Sequence, residues 1–219
     1  MLRTDLTPRA IQLSLAALFA ALLADLLEFW VDPASSGDGA KVVAAATEQH
    51  GRMVLAAILL LASAAFIVPA VFGLVGLLAR RGRTLGRIAM VLALMGALGH
   101  AALAALYLLW SSMPAAGSNA ALVAAIDRAN DAGSMAVLAP LIIAFPVSLV
   151  LFFSAMVRGG VAPRWVLAPA LAAPVCAIVG HSTVAALVLL LVAACALAAS
   201  VLRGHRPERR TADSPPVPA

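Results

Sequence analysis

The sequence predicts an all-α membrane protein: a six-transmembrane-helix bundle, both termini cytoplasmic, with two short surface helices on the outer face. Three observations predict it. Of the 219 residues, 63% are hydrophobic and 11% charged, against about 45–50% and about 25% in an ordinary soluble domain. At a mean hydropathy of +1.03 the chain has too little polar surface to face water on every side, so lipid is the solvent for most of it. Apolar runs longer than the roughly 18 residues that mark a span recur along it. The two within 53–110 are joined by Arg80-Arg81-Gly82-Arg83-Thr84-Leu85-Gly86-Arg87. An arginine cluster is costly inside hydrocarbon, so this turn fixes a side of the bilayer.

Span 1 is expected over 10–31, stopped by Asp32-Pro33. Arg3 and Arg9 precede it as in a signal peptide, but Asp25, Glu28 and Trp30 stand where small cleavage-site residues would be needed, so a retained span is the reading. A Ser/Gly loop over 34–39 leads to a short interfacial helix over 40–50. Span 2 (53–79) carries Pro69, and span 3 (85–110) ends before Met113-Pro114. The stretch 118–131 reads as an amphipathic surface helix with Ser118 as N-cap: Leu122, Ile126 and Ala129 share one face, Asp127 and Asp131 another. Span 4 (135–157) contains Pro140 and Pro146; span 5 (165–181) contains Pro169 and Pro174. These prolines make spans 4 and 5 the expected places for kinks and hinging. Span 6 (183–202) closes a membrane domain of 1–203, and 204–219 reads as a disordered cytoplasmic tail, solvated His205 included.

Basic residues orient the bundle. Arg3, Arg9, Arg80, Arg81, Arg83, Arg87, Arg158, Arg164, Arg203, Arg206, Arg209 and Arg210 fall on one side of six spans; Lys41, Arg52 and Arg128 fall on the other. Such an excess marks the cytoplasmic side of a plasma membrane. It also accounts for the pI near 10.6 without nucleic acid, because the arginines flank spans. Arg80, Arg81, Arg83 and Arg87 set topology and are placed to meet anionic lipid. Cys176 and Cys195, in apolar runs without CxxC spacing, read as small core residues. Trp30, Tyr107, Trp110 and Trp165 read as interface anchors.

A faint duplication relates 40–110 to 118–190: surface helix, Pro-bearing span, arginine loop, span with Gly-His. Val42/Val123, Arg83/Arg164 and Gly99-His100/Gly180-His181 share one offset of 81 residues. True duplication and the easy alignment of Ala/Leu/Val-rich sequence both account for it.

Helices in lipid associate through small residues and a few polar contacts. Span 3 carries Ala89, Ala93, Ala97, Ala101 and Ala105, with His100 beside the row. Span 1 carries Ala17-Ala21-Asp25 and Ala16-Ala20-Ala24-Glu28; span 5 carries Ala173-Ala177-His181. Asp25, His100 and His181 each lie 16 or 17 residues beyond a cytoplasmic arginine, which is roughly 25 Å at 1.5 Å per residue. Glu28 follows a turn further out, and Glu48 and His50 enter from the cap before span 2.

Such groups are expensive in hydrocarbon, so they face the bundle and find partners. Asp25, Glu28, Glu48, His50, His100 and His181 are therefore the expected lining of an outward-facing polar cavity. Imidazole and carboxylate suit a small polar or amphiphilic ligand or a proton relay. His100, His181 and Asp25 suit a zinc ion, and two histidines at one depth suit haem. The bland alternative is that these groups only stabilise the bundle. No HExxH, GxSxG, P-loop or EF-hand spacing supports an enzyme class. The expected function is the handling of a small hydrophobic or amphiphilic molecule, or protons; a haem- or metal-binding redox protein and a non-catalytic accessory or assembly subunit are the alternatives.

His50-Gly51-Arg52, Val68-Pro69, Gly99-His100, Ile126-Asp127 and Pro163-Arg164-Trp165-Val166 together resemble a broad group of uncharacterised actinobacterial polytopic integral membrane proteins. The resemblance covers most of the membrane domain. It implies a polytopic helical fold and no activity.

Overall fold

Thr7 and Pro8 begin the first helix: the Thr7 hydroxyl accepts from Ala10 N (3.3 Å), and proline in the first turn costs no intrahelical bond. Helix α1 (Pro8–Val31) ends at Asp32, whose backbone N–H donates to Glu28 O. A computed structural model describes this and the rest of the chain over residues 7–34, 38–78, 82–113, 119–131, 134–178 and 183–204. Asp38 caps α2 (Gly39–Glu48), accepting from Ala40 N and Lys41 N. Gln49 alone separates it from α3 (His50–Gly76). Then come α4 (Arg83–Ser112), α5 (Asn119–Asp131), α6 (Ser134–Arg158), a 3₁₀ turn (Arg164–Val166), α7 (Leu167–Ile178) and α8 (Thr183–Gly204). Among the described residues every regular element is helical.

Five of these, α1, α3, α4, α6 and α8, are long and apolar enough to cross a membrane; α7 is a shorter apolar helix. The chain is a helical, multi-pass membrane protein. Of span 5, expected over 165–181, the described residues hold a 3₁₀ turn followed by the 12 residues of α7, and 179–181 lie outside them. Pro174, inside α7, has no N–H to donate and leaves one gap in its hydrogen-bond ladder. Pro140 and Pro146 are likewise carried inside α6 without ending it.

The long helices pack as a closed ring. Helix α1 lies on α3, α3 on α4, α4 on α6, α6 on α7, α7 on α8, and α8 returns to α1. Small residues set the closest approaches. Gly73 of α3 faces Ser14 of α1 while Arg52 at the other end of α3 reaches Trp30 O, and Gly96 and Gly99 of α4 face Phe145 and Leu141 of α6, so both pairs run antiparallel. A Cβ at Gly96 would stand 2.6 to 2.9 Å from Phe145 Cβ, Cα and N. Only hydrogen fits there.

The alanine row of α4 is buried at Ala89, Ala93 and Ala97, then gives way to Gly96, His100 and Ala104, while Ala105 is exposed. Of the two rows on α1, Ala17-Ala21-Asp25 is buried throughout; Ala16 is exposed and Glu28 half-buried. A straight helix drifts relative to a strict every-fourth-residue row, because 3.6 residues make a turn.

A second apolar cluster caps one end of the ring. Val42, Val43, Ala45 and Ala46 of α2 and Ile126 of α5 pack with Met53 of α3 and with Tyr107 and Trp110 of α4. Gly39 N donates to Asp127 Oδ1 (2.9 Å), tying α2 to α5. Tyr107 and Trp110, at 5% and 8% exposure, are thus buried beneath the cap instead of anchoring at a lipid interface, because α2 and α5 cover their end of α4. Trp30 and Trp165 do stand exposed. Ser118, Arg80, Arg81 and the tail beyond Gly204 lie outside the described residues.

Candidate functional site

The small-residue row of α1 carries Asp25 into the ring, where it is only 7% exposed. From α4, His100 comes to meet it: Nε2 lies 3.4 Å from Asp25 Oδ1. The contact is an ion-pair approach, longer than the roughly 2.7–3.2 Å of a well-formed N–H···O bond, and Asp25 Oδ1 has no other partner among the described residues. The other ring nitrogen is committed. His100 Nδ1 lies 2.8 Å from the Gly96 carbonyl oxygen one turn back. A carbonyl only accepts, so Nδ1 carries a hydrogen and donates it. Phe145 of α6 holds the ring from the side, edge to face at 5.2 Å between centroids. The closeness that Gly96 and Gly99 permit is what brings Phe145 there.

With Nδ1 protonated, Nε2 faces a carboxylate oxygen. Two lone pairs meeting in a buried place would repel, so a further proton belongs to the pair, on Nε2 or on the carboxyl. The pair is the polar corner of a cavity of about 280 Å³. Its remaining wall is almost wholly apolar: Leu60 of α3, Ile142 and Pro146 of α6, Leu187 and Leu190 of α8. Glu28, one turn beyond Asp25, lines it too, as does Thr183. Pro146 has no N–H, so the α-helical bond to the Ile142 carbonyl is missing at the cavity wall.

Beyond the cavity, toward the cap, Tyr107 Oη donates to Asp32 Oδ2 (2.8 Å) and Ala34 N donates to Asp32 Oδ1 (2.8 Å). The tyrosine bond pins the end of α1 to α4, and the Ala34 bond, local to the turn, holds the Asp32 carboxylate in place for it.

Of the six residues expected to share a cavity, the structure brings together Asp25, Glu28 and His100. Glu48 and His50 are not among its lining. Both are exposed, and His50 Nδ1 lies 3.0 Å from Ser111 O at the end of α4. The break at Gln49 turns them to the outside of the cap. His181 lies outside the described residues. Among the described residues no three His, Cys, Asp or Glu side chains converge as a metal site. Sequence reasoning did not reach Phe145, Ile142, Thr183 or Leu190. Pro146, flagged as a kink, was the signal closest to them.

Fold and cavity define a multi-pass helical membrane protein with an acid–imidazole pair buried in an apolar chamber. No family model, curated protein or solved structure matches the chain.

Proposed function

We propose that the protein is a plasma-membrane protein of six spans, with α7 and its leading 3₁₀ turn as the fifth, that handles a small hydrophobic or amphiphilic molecule, or protons, in a cavity open to the outer side. The observation that carries the reading is the Asp25–His100 pair: a buried acid and imidazole 3.4 Å apart on the wall of an apolar chamber. Beyond His100, Asp25 Oδ1 has no donor among the described residues, and buried ionisable groups in a membrane bundle are costly and commonly mark a path for substrate or protons. A long, loosely satisfied pair facing a chamber supports a ligand that donates.

Orientation rests on charge. Arg9, Arg83, Arg87, Arg158, Arg164 and Arg203 lie at or near helix ends remote from the α2–α5 cap, which supports a cytoplasmic location for that end and for both termini. Arg83 and Arg87, with Arg80 and Arg81 of the same turn, would then meet anionic headgroups of the inner leaflet. Helix α6, which carries Pro140 and Pro146, is the element best suited to move.

The test is a thermal-shift series on protein in lipid nanodiscs with octanol, octylamine, octanoate and octyltrimethylammonium as probes. At least one probe should raise the melting temperature of the wild type. Ala186→Leu, which fills the chamber from α8, should abolish that rise. If no probe stabilises the protein, or if stabilisation survives in Ala186→Leu, the cavity has no binding role.

A further inference from the structure

We infer that the chamber exchanges a proton for a lipophilic primary amine, the ammonium taking the place of the proton shared by Asp25 and His100. This rests on the ligand-handling reading above and names its substrate class.

Charge selects the sign of the ligand. Asp25, Glu28 and His100 are the titratable groups on the chamber wall among the described residues; α1 supplies both acids and α4 the imidazole. The described wall residues of α3, α6 and α8 are apolar except Thr183, and Asp32 with Tyr107 lie one layer further toward the cap. Two acids against one base leave no net positive charge to hold a carboxylate or phosphate. A cation completes the site.

Geometry selects the head group. The Gly96 carbonyl fixes the hydrogen on Nδ1, so the lone pair of a neutral His100 is at Nε2. Nε2 and Asp25 Oδ1 then become two acceptors 3.4 Å apart facing the same space. A group with two N–H donors bridges them; a quaternary ammonium has no N–H, and an alcohol has one donor and no charge. The apolar walls from α3, α6 and α8 accept the tail.

The exchange balances. Before binding, the Asp25–His100 pair holds one proton besides that on Nδ1 and is neutral as a pair. The ammonium enters with its own three N–H hydrogens, donates to Oδ1 and Nε2, and that one proton leaves to water on the open side. Charge in the chamber is the same before and after, and no covalent bond other than that to the transferred proton is broken or formed.

The experiment measures octylamine, octyltrimethylammonium and octanol binding to wild-type protein in nanodiscs by calorimetry, with empty nanodiscs subtracted, and follows released protons in weak buffer. Octylamine should bind about ten- to a hundred-fold more tightly than either comparison probe, the range of one or two charge-assisted hydrogen bonds. It should release close to one proton per molecule bound below the amine's own titration range, whereas octanol releases none. Asp25→Asn should remove both the preference and the release. If octylamine and octanol bind equally and Ala186→Leu abolishes both, the amine assignment is wrong while ligand handling stands. If none of the probes binds, both readings fall. Because the probe comparison uses wild-type protein, a folding defect in Asp25→Asn would not protect the inference.

Discussion

Replacing Gly96 by alanine tests whether close approach of α4 and α6 builds the site. The added Cβ would meet Phe145 Cβ, Cα and N at 2.6, 2.8 and 2.9 Å. Ordinary contact begins near 3.4 Å, so α6 must retreat by about half an ångström or more, and two of the three atoms are backbone that no rotamer change can move. Overpacking of this kind costs about 1–3 kcal/mol. Alanine also improves on glycine in a helix by up to about 1 kcal/mol, which would blur a single measurement. Gly51 supplies the reference: it lies in α3, and a Cβ there meets nothing within 4 Å. The same substitution at both positions should therefore differ by about 1–3 kcal/mol, Gly96→Ala being the less stable. Reversible unfolding in mixed detergent micelles, followed by helical circular dichroism, reads the difference. Equal stability of the two variants would refute the account, and so would a more stable Gly96→Ala.

Ser63 is wholly buried in α3 and its Oγ has no hydrogen-bond partner among the described residues; Ser63→Ala removes a penalty of about 1–3 kcal/mol, so the variant should melt higher, and a lower melting point would count against an unsatisfied hydroxyl. Tyr107→Phe deletes the bond to the half-exposed Asp32 and should cost about 1 kcal/mol, read by the same unfolding assay, with no loss meaning that water replaces the phenol. Asp127→Ala frees Gly39 N; hydrogen exchange at Gly39 should quicken several-fold, as expected for a bond worth about 0.5–1.5 kcal/mol, while exchange in α6 stays unchanged. With Cys176 and Cys195 replaced, a single cysteine at Thr47 should react with an impermeant maleimide on intact cells and one at Thr84 should not; the reverse pattern would invert the proposed orientation.

Helix boundaries were readable because their signals are local. Pro8, Asp32 and Asp38 start and stop helices through their own atoms, so the observed ends of α1 and α2 fall within two residues of the expected ones. Asp25 and His100 were readable for another reason: each lies on or beside a row of small residues, and small residues face protein in a membrane. What sequence distance gives is depth, not azimuth. Glu48 and His50 have suitable depth, but the break at Gln49 turns them away from the ring. Tyr107 and Trp110 depart from the rule for interfacial aromatics, which supposes lipid beside them, because α2 and α5 occupy that place. Leu190, Ile142 and Phe145 could not be picked out at all. In helices apolar on every face, a residue that lines a chamber has the same chemistry as one that meets lipid.

The contact between α1 and α8 bears on how the molecule is made. Neighbours along the ring are mostly neighbours in sequence, so the early helices can pair as they enter the bilayer. The seam between the first and last of them cannot. Until α8 is synthesised, the flank of α1 beside Asp25 has no Ala186 or Leu190 to close it off, and a costly carboxylate waits in contact with lipid or with the insertion machinery. Chains truncated before residue 183 should for that reason be cleared by membrane quality control, even though α1, α3, α4 and α6 are already in place.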